Sequence, residues 1–393
     1  MSLPTTATTN NNGEIAALGR RLVAEVLGPM KATFVGKDEI IDLMGVTLVA
    51  GENLFLLGPP GTAKSALVFE LGRRLEGRIF EYLLTRFTEP NELFGPFDIR
   101  KLREGELLTN TEGMLPEASL VFLDELLNAN SAILNSLLMV LNERVFRRGR
   151  EKRDLPTLMV IGASNRLPED DALGALFDRF LLRVTCDNVP SDRLGDVLTA
   201  GWQLDVAARK RAAEATLGID DVRKLNGALG SVDLSDVRPR VAELVVRLRH
   251  AGIPVSDRRA VKLQRLVAAS ALLCGRHRAI ASDVWVFRYI WDTVEQQEVL
   301  AAVVGEAVKA AAQSDADHPR SRGPDAPDPE SLARDLEDIG RRLGDAATTP
   351  ADRSRLKDRL GVLAGRCEWV KDADRRQFLI TRVEELWGRA GGR

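Results

Sequence analysis

A glycine- and proline-rich octapeptide constrains the fold of this chain more than any other segment. Residues 58–65 are Gly-Pro-Pro-Gly-Thr-Ala-Lys-Ser; the apolar run Asn53–Leu57 precedes them, and helical spacing follows over Ala66–Leu75. Small residues allow successive backbone N–H groups to turn toward a phosphate, and the start of the next helix adds its dipole. The sequence therefore predicts a phosphate-binding loop between a buried strand and a helix.

Two side chains at the end of this loop have the chemistry that a nucleoside triphosphate requires. The Lys64 ammonium can reach the β- and γ-phosphates, and the Ser65 hydroxyl is placed to coordinate Mg²⁺. Ala63 stands where the pattern GxxxxGK[ST] has glycine, and alanine fits there only with a negative φ or at a strain of about 1 kcal/mol. The alternative is a plain strand-to-helix turn, which the Lys-Ser spacing disfavours. The candidate nucleotide-binding residues are Gly58, Pro59, Pro60, Gly61, Thr62, Ala63, Lys64, Ser65 and Ala66.

Further apolar runs predict three more buried strands, at Leu120–Leu123, Leu158–Gly162 and Leu181–Thr185. Helical patterns separate the strands, and such alternation favours a parallel sheet covered by helices on both faces. Strand signals stop near Trp202, and residues 205–312 have helical spacing. The predicted fold class is therefore α/β, with an all-α region after the sheet.

Polar side chains follow two of these strands. Asp124 and Glu125 come directly after one strand, where Asp124 can hold Mg²⁺ and Glu125 can polarise an attacking water. Alone, such a pair is more often a helix cap or a solvated strand end. Asn165 follows the next strand and could orient the same water or contact the γ-phosphate. Together with the phosphate loop, these residues predict hydrolysis of a nucleoside triphosphate.

The order of these features, continued by Arg179 in the segment LFDRF, resembles that of the AAA+ ATPases. Taken alone, Arg179 is more often a surface cation. The resemblance implies that Asn165 is the first nucleotide sensor and that Arg179 is a finger supplied to the nucleotide of the next subunit. It also implies a ring, expected to be a hexamer, because the active site is then complete only between subunits.

Three longer segments narrow the resemblance to the MoxR branch of AAA+ proteins, and most closely to its RavA subgroup. They are FEYLLTRFTEPNELFGPFDI at residues 80–99, MLPEASLVFLDE, and LMVLNERVFRRG at residues 138–149. The resemblance runs from roughly Glu14 to Ala312. It implies an AAA+ P-loop αβα sheet followed by an all-α lid domain. MoxR proteins commonly act with a partner that contains a von Willebrand factor A (VWA) domain.

The same resemblance implies roles for three other places in the chain. In FVGKDEII, residues 34–41, Val35, Gly36 and Ile40 would hold the adenine, although a simple helix N-terminus is an alternative interpretation. Arg258, or its neighbour Arg259, would reach back from the lid to the γ-phosphate. An insert between Phe97 and Pro116 would form a hairpin facing the ring pore, with a surface loop as the alternative.

Composition limits the class of function and the location that the chain can have. Of 393 residues, 55 are Lys or Arg and 57 are Asp or Glu, a balance that argues against a nucleic-acid coat. Residues 236–278 hold ten Lys/Arg against three Asp/Glu, so a nucleic-acid motor stays as an alternative. The three cysteines are far apart, and neither a signal peptide nor a run of about 18 apolar residues occurs. We therefore expect a cytoplasmic protein without a membrane span.

The chain divides, on these patterns, into five segments. Their bounds are 1–13 for a disordered tail, 14–200 for the nucleotide-binding αβα domain, 201–312 for the helical lid, 313–329 for a Pro-rich linker, and 330–393 for a C-terminal helical bundle or hairpin. The expected function is Mg²⁺-dependent ATP hydrolysis by a ring that remodels a protein client. The alternatives are a nucleic-acid motor and a slow ATP-dependent switch or scaffold.

Overall fold

The computed structural model of the protein describes residues 6–148, 150–168, 171–189, 193–208, 217–310, 316–322, 329–344, 350–367, 370 and 373–391. The chain forms two compact units, Met1–Ser321 and Arg322–Arg393, and each is described by itself.

A five-stranded parallel sheet forms the centre of the first unit, as the apolar runs predict. Its strands, in spatial order, are β2 (Ile79–Leu83), β3 (Leu120–Asp124), β6 (Met159–Ser164), β1 (Leu54–Leu57) and β7 (Leu182–Thr185). All six residues of β6 are buried, as expected for a central parallel strand covered on both faces. Because the strands are parallel, their carboxyl ends share one edge of the sheet, here called the carboxyl edge. The opposite edge is called the amino edge.

Helices lie before β1 and between the later strands of this unit. They are α1 (Thr6–Arg21), a π-helical turn (Leu22–Leu27), α2 (Gly28–Thr33), α3 (Asp38–Ala50), α4 (Lys64–Arg74), α5 (Pro90–Phe94), α6 (Ile99–Arg103), α7 (Ser131–Glu143) and α8 (Asp171–Phe177). Short antiparallel strands β4 (Val145–Arg148) and β5 (Glu151–Asp154) form a separate hairpin.

The start of α1 corrects the expected tail. Residues 6–13 belong to this helix, although residues 1–13 were expected to be unstructured. Ile15 and Leu18, farther along the same helix, are buried, and α1 packs on a later helix of the lid. Packing of that apolar face therefore supports a helix that extends back through the Thr- and Asn-rich sequence. Residues 1–5 lie outside the described residues.

The described elements of the lid are helices, as the loss of strand signals predicts. Its helices are α9 (Leu194–Ala208), α10 (Ile219–Ala228), α11 (Arg238–His250), α12 (Asp257–Leu273), a 3₁₀ segment (Ala281–Tyr289) and α13 (Gln296–Lys309). Helix α9 crosses the expected domain boundary at residue 200, and α12 packs against α3 of the sheet domain.

Residues 316–321, here called the strap, correct the expected linker at 313–329. The His318 ring stacks on Trp285 with centroids 4.5 Å apart, and Arg320 pairs with Asp42 of α3 at 2.8 Å. Asp317 accepts a hydrogen bond from Ser282 Oγ at 2.8 Å. These buried polar contacts explain why a segment with no large apolar residue packs on the first unit. The rest of the expected linker, 313–315 and 323–328, lies outside the described residues.

The second unit contains three helices, α14 (Pro329–Gly344), α15 (Pro350–Cys367) and α16 (Ala373–Gly391). Their apolar faces meet in a core of their own, formed by Leu332, Leu336, Ile339, Leu356, Leu360, Leu363, Cys367, Val370, Leu379, Val383 and Leu386. Among the described residues of the chain, no helix combines the length and apolar character needed to span a membrane.

Candidate functional site

The phosphate loop leaves β1 at the carboxyl edge and is tied to both neighbouring strands. Gly58 N donates to the Ser164 carbonyl of β6 at 2.9 Å. A Cβ atom on Gly58 would lie only 2.2 Å from the carbonyl oxygen of Cys186, which follows β7. Only glycine therefore fits where the chain leaves the sheet, and this fixes the start of the loop between two strands.

The loop then folds back over the lysine that ends it. Lys64 Nζ donates to the carbonyls of Gly58 (3.0 Å) and Pro59 (2.8 Å), and its side chain is buried. Thr62 Oγ1 also donates to the Pro59 carbonyl, at 3.0 Å. The ammonium is thus held inside the loop. Ser65 and Ala66 follow in the first turn of α4, where helix N–H groups favour an anion.

Two loop residues have left-handed backbone conformations. Gly61 has a φ of 80°, which glycine adopts readily, and Ala63 has a φ of 69°. The sequence left two possibilities for Ala63, a negative φ or strain, and the structure has the strained one. A left-handed alanine costs about 1–2 kcal/mol.

The acidic pair lies at the same edge, two strands from the loop. Asp124 is the last residue of β3, and its Oδ1 accepts a hydrogen bond from Glu125 N at 2.9 Å. Glu125 has a φ of 49°, a left-handed conformation that takes its side chain out of the alternation of the strand. Strained backbone of this kind is common at functional sites.

Asn165 lies between the loop and the acidic pair because β6 separates β1 from β3. It is the first residue after β6 and is exposed. An open pocket of about 770 Å³ adjoins it at the carboxyl edge. The lining residues are Leu57, Gly58, Pro59, Pro60, Asn165, Arg166, Leu167, Thr185, Asp187 and Val294. Val294 comes from the lid, so residues of both the sheet and the lid line the pocket.

The residues present fit a magnesium-bound nucleotide in their chemistry. The Ser65 hydroxyl and the Asp124 carboxylate supply the hard oxygen donors that Mg²⁺ prefers. The buried Lys64 ammonium and the start of α4 supply positive charge for phosphate oxygens. This donor set contains no thiolate or imidazole, so it suits Mg²⁺ rather than zinc or copper.

The segment expected to hold the adenine lies between α2 and α3. Gly36 is exposed, Val35 is half-buried and Ile40 is buried in the core. Lys37 Nζ donates to the Asp187 carbonyl, and Asp187 also lines the pocket. The structure therefore brings this segment next to the pocket beside the phosphate loop.

Arg179 lies at the amino edge, just before β7 begins. Its carbonyl accepts a hydrogen bond from Asn53 Nδ2 at 2.9 Å, and Asn53 immediately precedes β1. Its Nη1 donates to Asp178 at 2.7 Å. The structure thus separates Arg179 from the phosphate loop of its own chain by the length of β1, roughly 13 Å for a four-residue strand.

The two lid arginines also make their hydrogen bonds away from the loop. Arg258 Nη2 donates to Asn142 Oδ1 at 3.0 Å, near the end of α7 and the amino edge. Arg259 is buried and pairs with Asp292 at 3.2 Å. Within one chain, the structure therefore does not bring Arg258 to the phosphates, because α12 begins beside the end of α7.

The insert near residue 100 forms a hairpin, as expected, but with a short helix inside it. Phe97 pairs with Thr109 in an antiparallel bridge, and α6 lies between them. Ile99, Leu102 and Leu107 are exposed there.

Residues that sequence reasoning missed lie behind the pocket. Arg183, in the middle of β7, has no exposed surface and donates to Asp292 Oδ1 at 2.6 Å. The sequence feature that could have indicated this residue is an arginine inside the apolar run LLRVT.

Comparison with known proteins fits this architecture. A family model described as the MoxR domain of the MoxR–vWA–β-propeller ternary systems matches residues 20–227, which is more than half of the chain. The chain belongs to the MoxR family of AAA+ proteins. A second model, the AAA lid domain, matches residues 233–304 of this MoxR protein.

Individual relatives agree with the family assignment. Two uncharacterized proteins of Methanocaldococcus jannaschii are 32% and 33% identical over 69% and 70% of this chain, each match covering 71% of the relative. Chaperone MoxR1 of Mycobacterium tuberculosis is 26% identical over 39% of this chain and 41% of its own. The crystal structure of a candidate ATPase from Cytophaga hutchinsonii has a TM-score of 0.60 at 17% identity, covering 78% of this chain and 99% of that one. That likeness supports the α/β fold with a helical lid.

Proposed function

We propose that this MoxR protein hydrolyses ATP with Mg²⁺. The observation that carries the proposal is the carboxyl edge of the sheet, where the phosphate loop, Asn165 and the Asp124–Glu125 pair follow three adjacent strands. Ligands of parallel α/β sheets bind at this edge. The family assignment supports nucleotide binding independently of this geometry.

Each residue would act through an ordinary property of its side chain. Lys64 and the loop N–H groups bind the phosphates, and Ser65 with Asp124 would hold Mg²⁺, which when bound offsets phosphate charge. Glu125 accepts a hydrogen bond from the attacking water and polarises it. Asn165 donates or accepts a hydrogen bond that orients the same water. Val35 and Gly36 are proposed to face the adenine, whereas Ile40 is buried in the core of the first unit.

A ring, most simply a hexamer, would complete the site. The position of Arg179 at the amino edge supports this proposal, because that side chain cannot serve the phosphate loop of its own chain. A finger supplied from a neighbour contributes roughly 10³–10⁵ in rate. Of the two lid arginines, Arg258 is kept as the proposed sensor, and only for a nucleotide of another subunit, because Arg259 is buried and paired with Asp292.

The proposed partners are those that the names of the matching family model and of one relative mention. The matching model describes MoxR domains of systems that also contain vWA and β-propeller components, so we propose a VWA-domain partner for this chain. The name of Chaperone MoxR1 supports remodelling of a protein client. Membership of the RavA subgroup and a cytoplasmic location stay predictions.

A nucleic-acid motor is less well supported by the lid surface. Of the basic residues in 236–278, eight donate to side chains of the same chain. They are Arg238, Arg247, Arg249, Arg258, Arg259, Lys262, Arg276 and Arg278. Cations already paired within the protein release fewer counterions from nucleic acid.

The test is Glu125→Gln, with Glu112→Gln as a matched exposed control. Glu125→Gln should bind ATP with unchanged affinity and lose at least about 100-fold in turnover, because a carboxamide is a far weaker base. Glu112→Gln should keep wild-type turnover. Normal turnover by Glu125→Gln would overturn the assignment of Glu125. A wild-type protein that binds ATP but turns it over very slowly, even at high concentration, would favour the switch alternative.

A further inference from the structure

Two arginines and one carboxylate meet at the junction between the sheet and the lid. Arg183 lies within β7, Arg259 lies in the first turn of α12, and Asp292 precedes α13. Arg183 Nη1 donates to Asp292 Oδ1 at 2.6 Å, and Arg259 Nη1 donates to Asp292 Oδ2 at 3.2 Å. We call these three side chains the junction triad.

The junction triad also holds the backbone that leads to Asp292. Arg183 Nη1 donates to the carbonyls of Ile290 (3.2 Å) and Trp291 (2.7 Å), and Arg259 Nη2 donates to the Ile290 carbonyl as well. Ile290 and Trp291 are buried. This segment is therefore fixed by a strand of the sheet on one side and by a helix of the lid on the other.

The charges of the junction triad do not balance, since two guanidiniums share one carboxylate. Burial, and then the charge of Arg259, lower the pKa of Arg183 to about 9. Within the described part of the chain, the buried Nε atoms of Arg183 and Arg259 have no acceptor. Buried, incompletely satisfied charges usually stabilise a fold less than apolar side chains of the same size. Stability alone therefore gives no reason for this arrangement.

The location of the junction triad suggests a reason. Residues two apart on a strand face the same side, so Arg183 lies beneath Thr185, about 7 Å along β7. Thr185 lines the pocket beside the phosphate loop, and so does Val294, two residues after Asp292. The segment that the triad holds is thus continuous with the lid wall of this pocket.

We propose that Asp292 is a positioning residue for the nucleotide. By binding Arg183 of the sheet and Arg259 of the lid, it holds the 290–294 segment so that Val294 closes the pocket beside the phosphate loop. Asp292 acts through this wall and touches no reacting atom. The inference rests on the proposed nucleotide site, and it gives Arg259 a role in lid position in place of phosphate contact.

The test compares two ion pairs, each of which joins a residue of the lid to a buried residue of the sheet domain. Asp292→Asn keeps the shape but leaves the two guanidiniums without their shared counter-charge. The matched control is Glu52→Gln, because Glu52 is buried, precedes β1 at the amino edge and pairs with Lys262 of the lid at 2.7 Å. For each variant, the Kd for a fluorescent ATP analogue with Mg²⁺ and the thermal unfolding temperature are measured. Asp292→Glu, which keeps the charge, serves as the rescue variant.

We expect Asp292→Asn to raise the nucleotide Kd about tenfold, equivalent to about 1.4 kcal/mol. Glu52→Gln should change the Kd less than about twofold while lowering the unfolding temperature comparably. Asp292→Glu should recover most of the affinity. Equal loss of affinity in Asp292→Asn and Glu52→Gln would mean that Asp292 acts only through the stability of the fold, and this would overturn the proposal.

A second variant covers the case in which Asp292→Asn does not fold. Val294 is half exposed, so Val294→Ala should leave the unfolding temperature unchanged and raise the Kd about threefold. An unchanged Kd in that variant would overturn the proposal that Val294 forms a wall of the nucleotide pocket. A wild-type protein that binds no nucleotide would instead defeat the proposed function together with this inference.

Discussion

Ala63 keeps the phosphate loop in a left-handed conformation that glycine would adopt at lower cost. Its φ is 69°, and this conformation costs an alanine about 1–2 kcal/mol. Glycine has no such strain, but it loses more conformational entropy on folding, which costs about 0.5–1 kcal/mol relative to alanine. We therefore expect Ala63→Gly to raise the free energy of unfolding by up to about 1 kcal/mol. Denaturant unfolding of the wild type and the variant measures the difference.

Gly61 provides the opposite substitution in the same loop. Its φ is 80°, and a Cβ atom there would meet no atom within 4 Å, so Gly61→Ala tests backbone strain without a clash. It should lower the free energy of unfolding by about 1 kcal/mol. If both substitutions shift stability in the same direction, strain at Ala63 is not the reason.

The residues of the proposed site could be predicted because each lies in a short motif whose spacing reflects local chemistry. Lys64, Asp124 and Asn165 each follow a recognisable apolar strand. Arg183 and Asp292 could not be predicted as a pair, because 109 positions separate them and only the docking of the lid brings them together. The same limit applies to Arg258, whose contact with Asn142 depends on where α12 begins relative to α7.

At the scale of elements, sequence pattern found the buried strands and missed the exposed ones. Strand β2 contains Glu81 and lies at the end of the sheet, so its apolar run is interrupted. The β4–β5 hairpin is mostly charged and carries no strong alternation. The first part of α1 (residues 6–13) and the strap were missed for a related reason, since packing of their elements on distant parts of the first unit overrides their polar composition.

The strap gives the first unit an acid-sensitive contact. His318 is buried against Trp285, and burial lowers its pKa to about 4, despite the nearby carboxylates of Asp42 and Asp283, with Lys31 and Arg320 adding to the decrease. The unfolded chain has the ordinary pKa of about 6.5. Between pH 6.5 and 4 the unfolded state therefore binds more protons, so stability falls as the pH is lowered through this window.

The free energy of unfolding that His318 contributes should fall by about 3 kcal/mol on going to pH 4, since each pKa unit corresponds to 1.36 kcal/mol. His318→Gln removes this titration, so the difference in unfolding free energy between pH 7 and pH 4.5 should be smaller than in the wild type. His250→Gln changes an exposed histidine on α11 and should keep the wild-type difference. An identical pH dependence in His318→Gln and the wild type would show that the strap histidine does not titrate as described.

At the scale of the whole molecule, the chain combines a MoxR sheet-and-lid unit with a three-helix unit that has a separate core. Its helical periodicity predicts the second unit well, because short amphipathic helices pack with their neighbours in sequence. Periodicity cannot predict contacts between subunits. The first unit indicates such contacts only through Arg179, which lies at the wrong edge of the sheet to serve its own phosphate loop.

Mixing two inactive variants tests whether the site forms between subunits. Arg179→Ala should bind ATP and lose at least about 10³-fold in turnover, and Lys64→Ala should fail to bind ATP. In a mixed ring, a Lys64→Ala subunit still supplies Arg179 to the nucleotide of an Arg179→Ala neighbour. Turnover should therefore return on mixing, although neither protein is active alone.

Mixing Lys64→Ala with a doubly substituted Lys64→Ala, Arg179→Ala chain is the control, since neither chain binds nucleotide and no activity should return. Sizing the mixture at the assay concentration shows whether the variants assemble together. Co-assembly without recovered turnover would mean that Arg179 does not act across a subunit boundary. Recovery would require that the arginine at the amino edge of one sheet meets the phosphate loop at the carboxyl edge of another, an arrangement that repeats around a ring.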